Sequence, residues 1–167
     1  YLAIKDPDLL ERRKKVTSEA QSAGQKIVMV VGLSSLAAVM VISALDQRFG
    51  WSQMPIAVSL LGNVLIAVGY YIYYLVFREN SYAASTVLTF EGQHVISTGP
   101  YALVRHPKYV GDLFLATGIP LALGSWWGLP FVLLTVIALA WRILDEEKLL
   151  RKDLAGYVEY MLKVRYR

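Results

Sequence analysis

The stretch of residues 113–141, LFLATGIPLALGSWWGLPFVLLTVIALAW, decides the fold because it is apolar and carries no charge. As one helix it would be about 43 Å long, well beyond a membrane hydrocarbon core of about 30 Å. Pro120 and the sequence GSWWG at residues 124–128 are typical of a break and a turn. The stretch therefore predicts a helical hairpin with arms at about residues 109–123 and 127–150.

Two further uncharged apolar runs lie upstream, at residues 27–45 and 49–77. Runs of about 18 or more such residues are typical of membrane spans, so we expect two spans within about 27–77. The predicted fold is all-α and polytopic, a single domain over 1–167 with about four transmembrane passes. A polar segment (1–26) precedes the spans, a polar segment at 78–112 precedes the hairpin, and a polar tail (151–167) follows it.

The distribution of charge predicts the orientation in the membrane. Lys and Arg are frequent before residue 27 and after residue 141, whereas the side that would hold both hairpin turns carries only Arg48. Positive residues favour the cytosolic side. We therefore expect a multi-pass integral membrane protein whose termini and cofactor pocket face the cytosol. Trp51, Trp126 and Trp127 would mark the opposite interface.

Composition excludes several classes of site. The chain has no cysteine, which excludes disulfides, thiolate catalysis and cysteine-bound metals. Only His94 and His106 are available as histidine ligands, so no metal is expected, and His94 is interpreted as a structural loop residue. The basic balance is better explained by topology and lipid contact than by nucleic acid. The polar start argues against a secretory signal peptide, and a first residue other than Met allows for further spans upstream.

Two polar stretches adjoin the predicted spans on the cytosolic side. One is GQHVISTGPYALVRHPKYVG at residues 92–111, and the other is Asp145-Glu146-Glu147 near the end of the last apolar helix. Gly-Pro-Tyr, Arg-His-Pro-x-Tyr, a hydrophobic hairpin and Glu-Glu together resemble the signature of the isoprenylcysteine carboxyl methyltransferase family. The resemblance covers about residues 50–167 and extends to the tail, with Gly156-Tyr157 and the closing Val-Arg-Tyr-Arg.

The resemblance implies a membrane enzyme that uses S-adenosyl-L-methionine. By the same resemblance, His106 and Tyr109 would contact the amino-acid portion or ribose of the cofactor, and Gly99, Pro100 and Tyr101 would line its adenine end. Glu146 and Glu147 would be the carboxylates of the cofactor and reaction region, and Arg105 would hold an acidic group or brace Glu147. A basic residue of the tail, either Lys163 or Arg165, would orient the methyl acceptor.

The chemistry of the cofactor supports the same set of residue types. A carboxylate can pair with its ammonium, an arginine can bind its carboxylate through two hydrogen bonds, and aromatic rings can cover the adenine or face the sulfonium. The chain has no Gly-x-Gly-x-x-Gly loop of the kind a Rossmann site requires. An all-helical membrane site is therefore expected.

The acceptor and two rival functions stay open at the level of sequence. The expected partners are the bilayer and a lipophilic small-molecule or lipidated acceptor, with O-, S- and N-methylation all possible and no oligomeric state indicated. One rival is an NADPH-dependent membrane reductase resembling the sterol reductases, and the other is a non-catalytic membrane assembly protein. A bland interpretation also exists for the glutamates, because Arg142 to Glu146 and Glu147 to Arg151 have the spacing of a surface salt-bridge ladder.

Overall fold

The computed structural model of the protein describes residues 23–80 and 94–166. Within these two ranges the chain is helical and contains no strand, which confirms the all-α prediction. The helices are α1 (Ala23–Phe49), α2 (Ile56–Glu79), α3 (Pro107–Ala122), α4 (Leu129–Asp153) and α5 (Tyr157–Lys163), with a 3-10 turn (Gly99–Ala102) before α3. Most of the predicted N-terminal segment and residues 81–93 of the 78–112 segment lie outside the described residues.

Helices α1 and α2 are long and apolar enough to cross a membrane. Their apolar stretches have mean hydropathies of 2.4 and 1.8, and most of their side chains face outward. The buried positions of α1 instead follow one stripe, with Val28, Ser35, Val39, Ser43 and Asp46 at helical spacing. Each helix thus keeps one narrow face for packing and leaves a broad apolar surface suited to lipid.

The hairpin is present, with α3 and α4 as its arms and residues 123–128 as its turn. Gly124 has a φ of 70°, a left-handed conformation that glycine adopts without strain. With 16 residues, α3 would be about 24 Å long, shorter than a hydrocarbon core of about 30 Å. Helix α4 has 25 residues, but charged side chains occupy its last turns. The number of full passes stays a prediction.

Glycines allow α2 and α3 to pack closely along their length. A Cβ atom on Gly118 would lie 2.8 Å from the carbonyl oxygen of Gly62, and one on Gly69 would lie 3.1 Å from that of Gly111. Gly62 and Gly69 are seven residues apart on α2, and Gly111 and Gly118 are seven residues apart on α3. The two glycines of each helix therefore lie on one face of it. Small residues at such a crossing let the two backbones approach, as they do in many membrane helix pairs.

The turn between α1 and α2 meets the turn of the hairpin at one end of the bundle. Asp46 at the end of α1 is fully buried, and its carboxylate accepts hydrogen bonds from Ser52 and, at 2.5 Å, from the Ser125 hydroxyl. The Gln47 amide donates to the carbonyl of Gly124 at 3.0 Å. Because both turns share this end, the start of α3 and the end of α4 lie together at the other.

Helices α1 and α2 are consecutive in the chain but are not packed on each other. Helix α2 packs mainly on α3, and α1 packs mainly on α4. Ser35 shows how the second pair is tied, because its hydroxyl donates to the Phe131 carbonyl at 2.7 Å. The gap that remains between α1 and α2 forms a cavity that is described below.

Candidate functional site

The Gly-Pro-Tyr segment is folded onto the end of α2. Gly99 has a φ of 56°, and a Cβ at this position would lie about 3 Å from the side chain of Glu79. Thr98 donates a hydrogen bond to Glu79, and the Asn80 amide donates to the Tyr101 hydroxyl at 3.0 Å. Glycine is therefore required both for the backbone conformation and for the close approach. These contacts fix the motif beside the membrane helices.

Arg-His-Pro forms the start of α3. Pro107 occupies the first helical turn, where its missing N–H costs no hydrogen bond, and His106 is the residue that precedes it. Arg105 and His106 are both buried. The sequence thus directs two polar side chains inward at a helix start, toward the end of α4.

Glu147 is the centre of a buried cluster that also contains Arg105 and His106. Its side chain is 2% exposed, and its Oε1 lies 3.2 Å from Arg105 Nη1 and 3.4 Å from His106 Nε2. The Oε2 atom lies 3.5 Å from Arg151 Nη2, whose side chain is half exposed. A buried carboxylate is tolerated when it is paired in this way. Glu147 therefore joins the Arg-His-Pro segment to α4.

Glu146 faces a partly different set of groups, although its Oε2 also lies 3.9 Å from His106 Nδ1. Its side chain is 26% exposed, and its Oε2 accepts a hydrogen bond from the Tyr109 hydroxyl at 2.6 Å. That hydroxyl in turn accepts a hydrogen bond from Arg142 Nε at 3.0 Å. Adjacent residues of a helix point about 100° apart. The two glutamates accordingly point in different directions. Glu147 points toward Arg105, and Glu146 points toward the Tyr109 hydroxyl.

The C-terminal segment closes over the same cluster. The backbone N–H of Arg105 donates to the Tyr166 carbonyl at 3.0 Å, and its guanidinium lies 3.4–3.5 Å from the carbonyls of Tyr166 and Arg165. The Tyr160 hydroxyl on α5 donates to the Tyr101 carbonyl at 2.7 Å. Tyr157 and Tyr160 pack with Leu154 and Val164 in a small apolar core. Helix α5 therefore secures the Gly-Pro-Tyr turn.

Burial sets the protonation of the aromatic and imidazole groups. Burial lowers the pKa of His106 below its usual value, although Glu146 and Glu147 oppose this effect, so the imidazole is neutral near pH 7. Burial also raises the pKa of Tyr101 and of Tyr160 to about 12. The pKa of Tyr157 is raised by burial and by the nearby charges of Glu147 and Glu146. All three phenols keep their protons at physiological pH.

A cavity of about 500 Å³ adjoins the cluster, in the gap between α1 and α2. Its volume lies within the range of about 300–1,000 Å³ that is usual for small-molecule sites. Most of its wall is aliphatic, including Met29, Leu33, Leu36, Ile66, Leu115 and Leu139. Its polar lining consists mainly of Tyr73, Lys108, Tyr109, Asp112 and Arg142. Tyr109 therefore belongs both to the cavity wall and to the glutamate cluster.

The structure brings together most of the residues singled out from the sequence. Arg105, His106, Tyr109, Glu146 and Glu147 form one cluster at the joined ends of α3 and α4. The 3-10 turn that contains Gly99, Pro100 and Tyr101 lies near it, since the charge of Glu146 acts on the Tyr101 phenol, and the hydrogen bond from Tyr160 holds the turn to α5.

The two basic residues of the tail are placed differently. The side chains of Lys163 and Arg165 are exposed, and it is the backbone carbonyl of Arg165 that lies near Arg105. Their role in orienting an acceptor stays a prediction.

Sequence reasoning missed several contributors to this region. The sequence indicated no site role for Tyr157 and Tyr160 of α5 or for Tyr73, which lines the cavity. It also indicated none for Lys108 and Asp112. Their i,i+4 spacing on one helix was the available signal, but only the position of α2 shows what they face.

The residues of the cluster fit S-adenosylmethionine. Glu146 offers a partly exposed carboxylate for an ammonium, and Tyr101, His106, Tyr109 and Tyr157 offer rings for adenine or sulfonium. The Tyr157 hydroxyl is buried and has no hydrogen-bond partner within the described ranges. A buried polar atom of this kind is expected to have a partner when the site is filled.

Comparison with known proteins places the chain in a family. The profile of the phospholipid methyltransferase family matches residues 57–155, more than half of the sequence. The Delta(14)-sterol reductase of Mus musculus is 30% identical over 128 residues, which are 68% of this chain and 31% of that protein. The chain thus spans about a third of the length of this curated relative, and no solved structure shows significant similarity to it. The chain belongs to the phospholipid methyltransferase family, which also includes the isoprenylcysteine carboxyl methyltransferase-like membrane enzymes.

Proposed function

We propose that the protein is an S-adenosylmethionine-dependent methyltransferase of the membrane that acts on a lipophilic acceptor. The observation that carries this proposal is the meeting of two distant sequence segments beside an apolar cavity. Tyr109 and Glu146 are 37 residues apart in the chain, yet their side chains are joined by a 2.6 Å hydrogen bond at the cavity wall. Family membership supports the same activity.

The cofactor would be held by the partly exposed half of the cluster. Glu146 is the carboxylate suited to its ammonium, because Glu147 is already paired with Arg105 and Arg151. Tyr101, His106 and Tyr109 would line the rest, with the turn at Gly99 and Pro100 at the adenine end. Glu147 would act as a positioning residue, since it holds Arg105 and His106 in place.

Bound S-adenosylmethionine would supply an electrophilic methyl group. The residues of the chain would place the acceptor next to that group and exclude water. Together these two effects can substantially lower the free-energy barrier to methyl transfer. A carboxylate acceptor, such as that of a prenylcysteine-like compound, needs no general base. A thiol would have to lose a proton, and an amine would have to be neutral. Lys163 or Arg165 would orient the acceptor from the tail.

The cavity supports the lipophilic character of the acceptor. Its aliphatic walls belong partly to α1 and α2, the two helices suited to crossing a bilayer. An acceptor with an apolar chain would therefore reach Tyr109 from the membrane, while the cofactor would reach Glu146 from the aqueous side. With four passes and cytosolic termini, that aqueous side is the cytosol.

A transfer assay tests the proposal directly. Purified protein in lipid nanodiscs would be incubated with methyl-labelled S-adenosylmethionine and a total lipid extract, and label in the organic phase would be measured. We expect label to accumulate with the wild type and to fall about 10- to 150-fold with Glu146→Gln, as expected for the loss of one charged hydrogen bond. Glu159→Gln is the matched control, because Glu159 is an exposed glutamate on α5. Equal labelling by Glu146→Gln and wild type would refute the assignment of Glu146.

A second candidate is an NADPH-dependent membrane reductase. The observation that favours it is the 30% identity to the mouse Delta(14)-sterol reductase. The two functions differ in the cofactor that the cluster must hold. A bound dinucleotide carries several phosphates that would need several cations, whereas Arg105 is paired with Glu147 and Arg142 donates to Tyr109, so that of the cations described at the site Lys108 is left for them. This geometry favours the methyltransferase.

A further inference from the structure

The polar end of the cavity contains a group of charged residues that the proposed reaction does not yet use. Lys108 and Asp112 lie on α3, one turn apart, and their side chains form an ion pair with 3.0 Å between Nζ and Oδ2. Arg142 on α4 is the third charged residue of the lining. The described lining therefore has two cations and one carboxylate, and Arg142 also lies near Glu146 through the Tyr109 hydroxyl that both side chains contact.

Lys108 is held in place by more than its ion pair. Its Nζ atom lies 5.0 Å from the centre of the Tyr109 ring and 5.7 Å from that of Tyr73. Cations at such distances from aromatic faces are attracted to them. The Tyr73 hydroxyl also donates a hydrogen bond to Asp112, so the carboxylate shares its charge between a phenol and the ammonium. The ammonium is thus fixed next to the ring that borders the glutamate cluster.

This arrangement leaves Lys108 able to bind a further group. An ammonium has three N–H donors, and Asp112 accepts one of them. The side chain is 26% exposed, which leaves it accessible to a ligand. A group that accepts hydrogen bonds and carries negative charge would complement the ammonium and these remaining donors.

We propose that Lys108 binds the anionic group of the lipophilic acceptor, a carboxylate or a phosphate, while the acceptor's apolar chain fills the cavity between α1 and α2. Asp112 and Tyr73 are positioning residues that orient the ammonium. The proposal rests on the proposed function, since it names the chemistry of the acceptor for that same site. It also explains why a lysine stands at the only polar end of a cavity whose other described walls are mostly aliphatic.

The competing explanation is that Lys108 and Asp112 form an ordinary i,i+4 pair that supports α3. Such partly exposed pairs contribute little to stability. Under that explanation, removing either partner would have the same small effect, and neither change would depend on the charge of a ligand. Under the proposal the two changes have different effects, because only Lys108 carries the binding charge.

The experiment measures binding of probes that share one chain and differ in head group. Stearate, stearyl phosphate, methyl stearate and stearylamine would each be titrated into the full chain in nanodiscs of neutral lipid, at a pH that ionises the carboxylate. We expect stearate or stearyl phosphate to bind at least about tenfold more tightly than methyl stearate. The two anionic probes distinguish a carboxylate from a phosphate acceptor.

Variants then assign the preference to one residue. Lys108→Met should remove the preference for anions, Lys108→Arg should keep it, and Asp112→Asn should keep or strengthen it. Lys148→Met is the matched control, because Lys148 is exposed on α4 and should leave all four affinities unchanged. Tighter binding of stearylamine, no preference in the wild type, or an unchanged preference in Lys108→Met would overturn the proposal.

A parallel titration with S-adenosylhomocysteine separates this inference from the proposed function. Lys108→Met should bind S-adenosylhomocysteine as tightly as the wild type, because the residue lies on the acceptor side of Tyr109. Loss of the anion preference with intact S-adenosylhomocysteine binding is the expected outcome for the variant. If the wild type binds no S-adenosylhomocysteine, the proposed function fails, whatever the probes show.

Discussion

Replacing Glu147 by glutamine should lower the stability of the folded protein, and not only the rate of methyl transfer. The change removes one negative charge from a side chain that is 2% exposed and leaves Arg105, 7% exposed, without its counter-ion at 3.2 Å. Breaking a buried ion pair costs about 3–5 kcal/mol. The glutamine oxygen can still accept a hydrogen bond, and Arg151 is half exposed and can be hydrated. We therefore expect a loss of about 3 kcal/mol, at the lower end of that range.

The neighbouring Glu146→Gln variant provides the contrast. Glu146 is 26% exposed, and the Tyr109 hydroxyl can donate to a glutamine oxygen as well as to a carboxylate. We expect a stability change of no more than about 1 kcal/mol, together with weaker cofactor binding. The two variants should thus separate a positioning role from a binding role.

Unfolding in detergent, followed by circular dichroism with increasing denaturant, measures both effects. Glu159→Gln, an exposed change on α5, controls for the loss of a charge alone and should leave the midpoint unchanged. Equal stabilities of Glu147→Gln and Glu146→Gln would refute the division of the two glutamates. So would a Glu147→Gln protein that is as stable as the wild type.

Three further predictions follow from other parts of the fold. Gly118→Ala should destabilise the α2–α3 pair by about 1–3 kcal/mol in thermal unfolding, because its Cβ would lie 2.8 Å from a carbonyl oxygen of α2. Gly32→Ala is the control and should have little effect, because no atom lies within 4 Å of its Cβ position. Burial raises the pKa of Tyr160 from 10.0 to about 12, so the contribution of the buried phenol to stability should be intact below about pH 10 and be lost as the pH rises toward 12. In denaturant titrations at different pH values, Tyr160→Phe should lose part of this pH dependence of stability. Cysteines introduced at the exposed positions Trp127 and Lys163 should be labelled from opposite sides of the membrane by an impermeant reagent, and labelling from one side only would contradict the hairpin topology.

The helices could be predicted because their signals are local. The absence of charge over residues 113–141 and the turn signal at residues 124–128 sufficed to predict a hairpin, although Pro120 lies inside α3 and does not end it. The structure confirms it, with α3 and α4 on either side of the turn. The predicted ends differ from the observed ones by a few residues, because a hydropathy pattern does not register the caps and the last polar turns.

The pairing of Arg105 with Glu147 was one of two alternatives at the level of sequence. The 100° between adjacent helical residues required Glu146 and Glu147 to diverge, but it did not say which would face inward. That choice depends on the rotation of α4 against α3. The structure turns Glu147 toward Arg105 and Glu146 toward Tyr109.

The cavity and the cover formed by α5 could not be predicted from the sequence. A cavity exists here because α1 and α2 pack on different partners, and no residue pattern within either helix indicates such a separation. Helix α5 has seven residues, too few to be stable alone, so its position follows from the packing of Tyr157 and Tyr160 on their neighbours. Both features are tertiary in origin.

Titration calorimetry with S-adenosylhomocysteine and with NADPH tests the central claim most directly. The two compounds would be titrated separately into the purified full chain in detergent, with Glu146→Gln as the site control. We predict saturable binding of S-adenosylhomocysteine with a Kd of about 1 μM, equivalent to roughly −8 kcal/mol, weakened in the variant, and no saturable binding of NADPH. Saturable binding of NADPH without binding of S-adenosylhomocysteine would contradict the methyltransferase account.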